Sequence, residues 1–286
     1  MTIKNPIEWS GAQLVHGAHA LGSLGRSLHH VEETVHSPAP PIRKITTADL
    51  FASLRQGFDD FGDYRTDVIF LGIVYAVVGL VLARLAFGMD LLPLVFPLAS
   101  GFALIGPIAA IGLYEMSRLR EQGVEANVAN AFDVFRAPAV GSVLVLGVGL
   151  VAIFLLWQLV AWLIYAATLG PAEPTSIGAF VHDVFFTAKG WELIVIGVGA
   201  GFLFAVFAMS ISLVSFPLLL DRDVGLDTAI KTSIRAVRLN PVETSLWGLI
   251  VAAGLVLGSI PLFIGLVVTI PVLGHATWHL YRKLVV

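Results

Sequence analysis

Long apolar runs with almost no charge fill most of the chain after residue 67. They lie at residues 68–87, 91–114, 137–169, 193–220 and 244–281. A helix of about 20 residues crosses a hydrocarbon core about 30 Å thick, so each of the first four runs predicts one crossing. The last run would form a straight helix of about 57 Å, and Gly258, Ser259 and Pro261 lie near its middle, so it predicts two. The pattern therefore predicts an all-α, polytopic membrane protein with six transmembrane helices.

A second pattern occurs three times, each time in a polar segment that precedes a predicted membrane hairpin. Apolar residues recur at i, i+4, i+8 and i+11, which places them on one face of a helix. The three sets are Leu50, Leu54, Phe58 and Phe61; Val124, Val128, Phe132 and Phe135; and Leu226, Ile230, Ile234 and Val237. This spacing predicts helices that lie in the membrane interface with their apolar faces towards the lipid. We therefore expect three repeats, each an interfacial helix followed by a transmembrane hairpin.

The N-terminal part differs in composition and predicts a separate arm. Residues 1–45 are polar and carry five of the eight histidines. Their leucines predict a marginal amphipathic helix, because three glycines interrupt the apolar stripe. The prolines of residues 37–41 predict a linker. We expect an arm at 1–45 and a six-helix membrane domain at 46–286.

Composition supports a membrane location and excludes several classes of site. The chain is 57% hydrophobic and 13% charged, whereas soluble domains average about 45–50% and about 25%. A net charge of −3 without a basic stripe gives no support for nucleic-acid binding. Because the chain contains no cysteine, thiolate metal sites, disulfides and cysteine nucleophiles are excluded.

The distribution of basic residues predicts the orientation in the membrane. All 17 lysines and arginines except Arg84 and Lys189 lie in the N-terminal arm, the segments before the three hairpins and the C-terminus. Positively charged segments stay in the cytoplasm. We therefore expect both termini to be cytoplasmic and the lipid bilayer to be the main partner.

Candidate sites are few. His275 and His279 are four residues apart, so both project from one helix face at a spacing compatible with a metal or haem contact; the alternative is a pair of interfacial polar residues beside Trp278 and Tyr281. The pairs Gly197/Gly201 and Gly254/Gly258 have the spacing of close helix contacts. No catalytic residue and no cofactor site are predicted. Transport chemistry needs polar groups inside the membrane, and Gln158, with a few hydroxyls, is the main candidate at that depth.

Residues 101–107 (GFALIGP), followed by Gly112, Leu113, Tyr114, Glu115 and Arg118, resemble a bacterial family of predicted integral membrane proteins, domain of unknown function 2189. Residues 54–60 (LRQGFDD) fit the same family, and the resemblance extends over about residues 42–284. It implies a bacterial inner-membrane location. Some members are labelled cytochrome c oxidase subunit I. That activity needs several histidines within the helices to hold two haems and a copper, and this chain offers only His275 and His279.

Three functions stay open. The first hypothesis is a non-catalytic accessory or scaffold protein with other membrane subunits as partners, a respiratory complex among them. The second is a small-solute transporter or channel, suggested by proline-broken helices at Pro97, Pro107, Pro217 and Pro271. The third is a haem- or metal-binding protein associated with the respiratory chain, which depends on His275 and His279 alone.

Overall fold

The computed structural model describes residues 37–63, 92–124, 139–261 and 264–286, and it also places Ile73, Val77, Leu80 and Arg84 in a helix. The N-terminal arm up to residue 36, most of the first predicted crossing and the predicted interfacial helix after Val124 lie outside the described residues. The described helices are α1 (Thr47–Asp63), α2 (Val95–Ala109), α3 (Ile111–Glu121), α4 (Val140–Thr168), α5 (Ile177–Phe186), α6 (Ala188–Ser212), α7 (Ser215–Asp221), α8 (Leu226–Leu239), α9 (Pro241–Ser259) and α10 (Leu266–Leu284).

The all-α prediction is confirmed for the described residues, which contain no strand apart from an isolated bridge between Ile42 and Val285. Within them, three helices are long and apolar enough to cross a membrane: Val140–Thr168, Ala188–Asp221 and Pro241–Ser259. A fourth crossing is formed if Leu92–Gly101 and Ala103–Ala109, which meet at a bend of 42°, make one broken span. These elements coincide with the apolar runs at 91–114, 137–169 and 193–220 and with the first half of 244–281.

Helix α10 does not pass the same criterion of length and composition. Its second half carries His275, His279, Arg282 and Lys283, which reduce its mean hydropathy. The structure therefore supports three to four crossings in the described residues, and the arrangement of six helices in three repeats stays a prediction.

Two of the three predicted interfacial segments are helical, α1 and α8, and the third lies outside the described residues. The buried face of each helix is not centred on the apolar stripe. In α1 it is formed by Leu50, Ser53, Gly57 and Asp60, and in α8 by Thr228, Ala229, Thr232, Ser233 and Ala236. Small and polar residues thus make the contacts with the bundle, because they allow two helix backbones to approach closely.

The distribution of burial separates the spans from the charged end of the bundle, which we define by Asp60, Glu121, Asp221, Asn240 and Arg282. Only 6% of the most apolar window of Ala188–Asp221 is buried inside the protein, against 28% for α4. Such exposed apolar sides need lipid around them. By contrast, much of α7 and of the C-terminal half of α10 is buried. The protein core is therefore densest near the charged end.

The segment before α1 lies against this end of the bundle. The hydroxyl of Ser37 accepts a hydrogen bond from the Gly225 amide at 2.8 Å, and its carbonyl accepts one from the Thr228 hydroxyl. The side chain of Asn240 accepts from the amide of Ile45 at 2.8 Å and donates to the carbonyl of Arg43. The predicted linker at 37–41 is thus attached at the start of α8. The residues that follow it, Arg43 and Ile45, are attached at the end of α8.

Candidate functional site

The polar groups with the most contacts lie where α1, α3 and α10 meet. Helix α1 can lie directly on α10 because Gly57 has no side chain: a Cβ there would be 2.6 Å from the carbonyl oxygen of Val272 and 2.7 Å from Cβ of Ala276. Gly274 of α10 allows a similar approach of Leu113 from α3. These close contacts bring polar residues of all three helices together.

We call this group the Asp60 cluster; it consists of Asp60, Ser117, Arg120, His275 and His279. The carboxylate of Asp60, only 3% exposed, accepts hydrogen bonds from Ser117 Oγ at 2.5 Å and from His279 Nε2 at 2.9 Å. Arg120 forms an ion pair with the same carboxylate and with Asp63. One carboxylate on α1 thereby binds side chains from both α3 and α10.

The order of hydrogen bonds around Ser117 distinguishes this cluster from a hydrolase triad. Ser117 Oγ lies 2.8 Å from His275 Nδ1 and 2.5 Å from Asp60 Oδ2. A hydroxyl has a single hydrogen, and an ionised carboxylate can only accept. With Asp60 ionised, that hydrogen goes to the carboxylate, and the serine oxygen is the acceptor for Nδ1 of His275. A nucleophilic serine needs the opposite direction, with its proton passing to the histidine. Both residues are also fully buried.

Electrostatics favours the ionised form of Asp60. Burial opposes ionisation, but hydrogen bonds from His279 and Ser117 and the charge of the neighbouring histidines outweigh it, so the pKa of Asp60 lies below its ordinary value of 3.8. A buried carboxylate with several donors is stabilised as an anion. The cluster therefore contains a charged group whose removal leaves several donors without an acceptor.

A second group, the Asp221 cluster, lies on another side of α10 and consists of Glu121, Asp221, Trp278, Tyr281 and Arg282. The Tyr281 hydroxyl donates to Asp221 at 2.6 Å, and Arg282 donates to Asp221 at 3.1 Å and to Glu121 at 3.2 Å. Trp278 Nε1 donates to Glu121 at 3.3 Å. This cluster links the last turn of α10 with the ends of α3 and α7.

The two histidines predicted as a metal pair both belong to the Asp60 cluster. His275 faces Ser117 and His279 faces Asp60, so each uses a ring nitrogen in a hydrogen bond within the protein. Among the described residues there is no group of three or more histidine, aspartate or glutamate side chains arranged to hold a metal ion. The metal site stays a prediction.

The four glycines predicted to mediate helix packing have different surroundings. A Cβ at Gly201 would lie 3.1 Å from the ring of Trp157, and one at Gly254 would lie 3.1 Å from Thr269. At Gly258 it would meet Leu266 at 2.8 Å and Thr269 at 2.9 Å. At Gly197 no atom of the described residues lies within 4 Å. Close contacts within the chain therefore involve Gly201, Gly254 and Gly258.

Gln158, the predicted polar group at depth, is used in a contact between α2 and α4. Its Nε2 donates to the carbonyl of Pro97 at 3.0 Å, and Trp157 Nε1 donates to the same carbonyl at 3.0 Å. Gln158 does not line the cavity of about 410 Å³ that lies between α2, α6, α9 and α10. That cavity is mainly apolar, and the hydroxyl-bearing residues in its lining are Ser100, Tyr114, Ser212, Ser245 and Thr277.

Asp60, Ser117 and Asp221 were not singled out from the sequence. The signal for Asp60 is its position. Ser53, Gly57 and Asp60 follow Leu50 by three, seven and ten residues, so all four lie on the buried face of α1. Ser117 and Asp221 carry no comparable pattern, because only the convergence of α3, α7 and α10 gives them partners.

Comparison with known proteins gives a family match for one part of the chain. The chain matches no curated protein and no solved structure. Residues 95–221, from α2 to α7, match the model of a family described as predicted integral membrane protein (DUF2189). The match covers less of the chain than the resemblance at 42–284, but it names the same family. The protein is thus an integral membrane protein with several apolar helices, and over residues 95–221 it is similar to the predicted integral membrane proteins of DUF2189.

Proposed function

We propose that the protein is a non-catalytic accessory or scaffold protein of the bacterial inner membrane, with both termini in the cytoplasm, acting through helix packing and its surface helices. The observation that carries this proposal is that the side chains of the types used in catalysis or metal binding form hydrogen bonds with one another. In the described residues, Asp60, Ser117, His275 and His279 are bound to one another in a buried cluster. Such clusters position helices relative to one another.

The same-side location of the termini is supported by the pairing of residues 41–43 with the C-terminus. The amide of Arg43 donates to the carbonyl of Leu284 at 3.0 Å, and the amide of Val286 donates to the carbonyl of Pro41. Residues 41–43 and the C-terminus therefore lie on one side of the bundle. The basic residues on that side favour the cytoplasm.

The test is a native purification of the tagged full chain in mild detergent, with co-purifying proteins identified and a visible spectrum recorded. We expect defined membrane subunits in stoichiometric amounts and a spectrum without a haem band. A protein that emerges alone and colourless contradicts the accessory role and removes the link to a respiratory complex. A haem band or stoichiometric bound metal would instead favour the function that depends on His275 and His279.

A second candidate, the small-solute transporter or channel, is favoured by the cavity between α2, α6, α9 and α10. Its size falls within the range of about 300–1,000 Å³ that is typical of ligand pockets. Its mainly apolar lining suits an apolar solute better than an ion, which needs charged or carbonyl ligands. A flux assay in liposomes tests it: flux that is lost when Ser212→Phe fills the cavity supports transport, and no flux above protein-free liposomes excludes it.

A further inference from the structure

Helix α8 presents three different faces, whereas a helix packed only against a bundle needs two. Its buried face is formed by small residues, as described above. Its apolar stripe, Leu226, Ile230, Ile234 and Val237, is half-buried, and Lys231, Arg235 and Arg238 are exposed. At 3.6 residues per turn the apolar stripe is roughly 120° from the buried face, and the basic residues are roughly another 100° further round.

This arrangement matches a helix at the edge of a bilayer. One side packs on protein, and the next is apolar and rests partly on the core through Leu226, Ile230 and Val237. The third side is basic, and a basic face beside an apolar one is the pattern of a helix lying in the membrane interface. The chain also holds α8 at that level. The candidate span Ala188–Asp221 ends shortly before it, and the span Pro241–Ser259 begins directly after Asn240. Val242, 68% exposed, continues the apolar surface next to the end of α8.

We propose that the basic face of α8, made by Lys231, Arg235 and Arg238, is a binding surface for the headgroups of anionic phospholipids. Asp227 accepts a hydrogen bond from Lys231 at 2.9 Å, so the two arginines supply most of the net positive charge. A guanidinium binds a phosphate through two parallel hydrogen bonds. The part of the apolar stripe that is not packed on the core faces the acyl-chain region beside this basic face.

The corresponding face of α1 provides a contrast within the same molecule. When Leu50 is aligned with Leu226, the positions of Lys231, Arg235 and Arg238 are taken by Arg55, Asp59 and Gly62. Both helices bury three equivalent positions, which are Ser53, Gly57 and Asp60 in α1 and Ala229, Ser233 and Ala236 in α8, but this face of α1 has no net positive charge. A helix of this repeat can therefore pack on the bundle without a basic surface.

The experiment measures lipid binding by the purified full chain in detergent. Phosphatidylglycerol and phosphatidylcholine are titrated separately, with retained lipid counted by native mass spectrometry and the melting temperature followed. Arg235→Gln with Arg238→Gln is compared with Lys44→Gln plus Arg55→Gln, which changes the net charge equally at exposed positions. We expect tighter retention of phosphatidylglycerol by the wild type, about fivefold weaker binding for each arginine removed, and little change in the control.

Two further measurements keep the outcome decisive. All substituted residues are exposed, so equal melting temperatures without added lipid verify that the variants fold. Raising the salt concentration weakens the retention of phosphatidylglycerol if charge is responsible. Wild-type retention by the Arg235/Arg238 variant, or an equal loss in the control variant, overturns the proposal. The proposal is also overturned if inorganic phosphate alone raises the melting temperature as much as phosphatidylglycerol does. Binding of lipid does not depend on whether partner subunits co-purify, so the two proposals fail separately.

Discussion

The carboxylate of Asp60 lies 2.9 Å from Nε2 of His279, so the first described helix is joined to the last one by a partly buried hydrogen bond. The same carboxylate binds Ser117 and Arg120 of α3. Three helices that are remote in sequence therefore depend on one side chain. This dependence makes Asp60 the most informative position for testing how the charged end of the bundle is held together.

Replacing Asp60 with asparagine is expected to destabilise the protein. Breaking a buried ion pair typically costs about 3–5 kcal/mol, and the lower end applies here because the Arg120 side chain is 35% exposed. Thermal unfolding of the purified protein in detergent measures the effect. The matched control is Asp59→Asn at the neighbouring exposed position, for which we expect a change within about 0.5 kcal/mol. Equal effects of the two substitutions would show that the buried contacts of Asp60 contribute little.

Acid should remove the contribution of Asp60. Because the pKa of this group is below 3.8 in the folded protein, its stabilisation is complete above the ordinary pKa and is lost as the pH falls through the folded value. The melting temperatures of the wild type and Asp60→Asn should therefore differ at pH 7 and converge below about pH 4. A difference that stays constant down to pH 3 would contradict the ionised state assigned to this carboxylate.

Gly57→Ala should disrupt the contact between α1 and α10. The added Cβ would meet backbone atoms of Val272 and Ala276 at 2.6–2.7 Å, and backbone cannot move aside as a flexible side chain does. We expect a loss of about 1–3 kcal/mol, as for overpacking in a core. Gly62→Ala on the same helix has nothing within 4 Å and should be neutral or stabilising by up to about 1 kcal/mol. Thermal unfolding of both variants measures the contrast.

Alanine substitutions can likewise distinguish Gly258 from Gly197. Gly258→Ala places a methyl group 2.8 Å from Leu266 and 2.9 Å from Thr269, so the contact between α9 and α10 should open and the melting temperature should fall. Gly197→Ala meets no neighbour within 4 Å, and we expect no loss of stability. If Gly197→Ala also lowers the melting temperature, Gly197 makes a contact outside the described residues, either elsewhere in the chain or with another molecule.

The sequence by itself predicted an all-α membrane protein and the positions of the three to four candidate spans in the described residues. Length and apolarity are local properties, and a bilayer accepts only segments whose backbone hydrogen bonds are satisfied internally. The runs at 137–169 and 193–220 therefore gave α4 and α6–α7 directly. The stripes at Leu50 and Leu226 likewise predicted α1 and α8 as helices.

Only the tertiary structure decided which side of those helices is buried and which polar residues meet. Periodicity shows where large apolar residues fall, but close packing in a bundle selects small residues such as Gly57 and Ala229, which an amphipathic pattern does not highlight. Asp60, Ser117 and His275 are 57 or more positions apart, and their contact depends on the crossing of α1, α3 and α10. A pairing of this kind is a property of three helices together, so no local pattern in the chain can contain it.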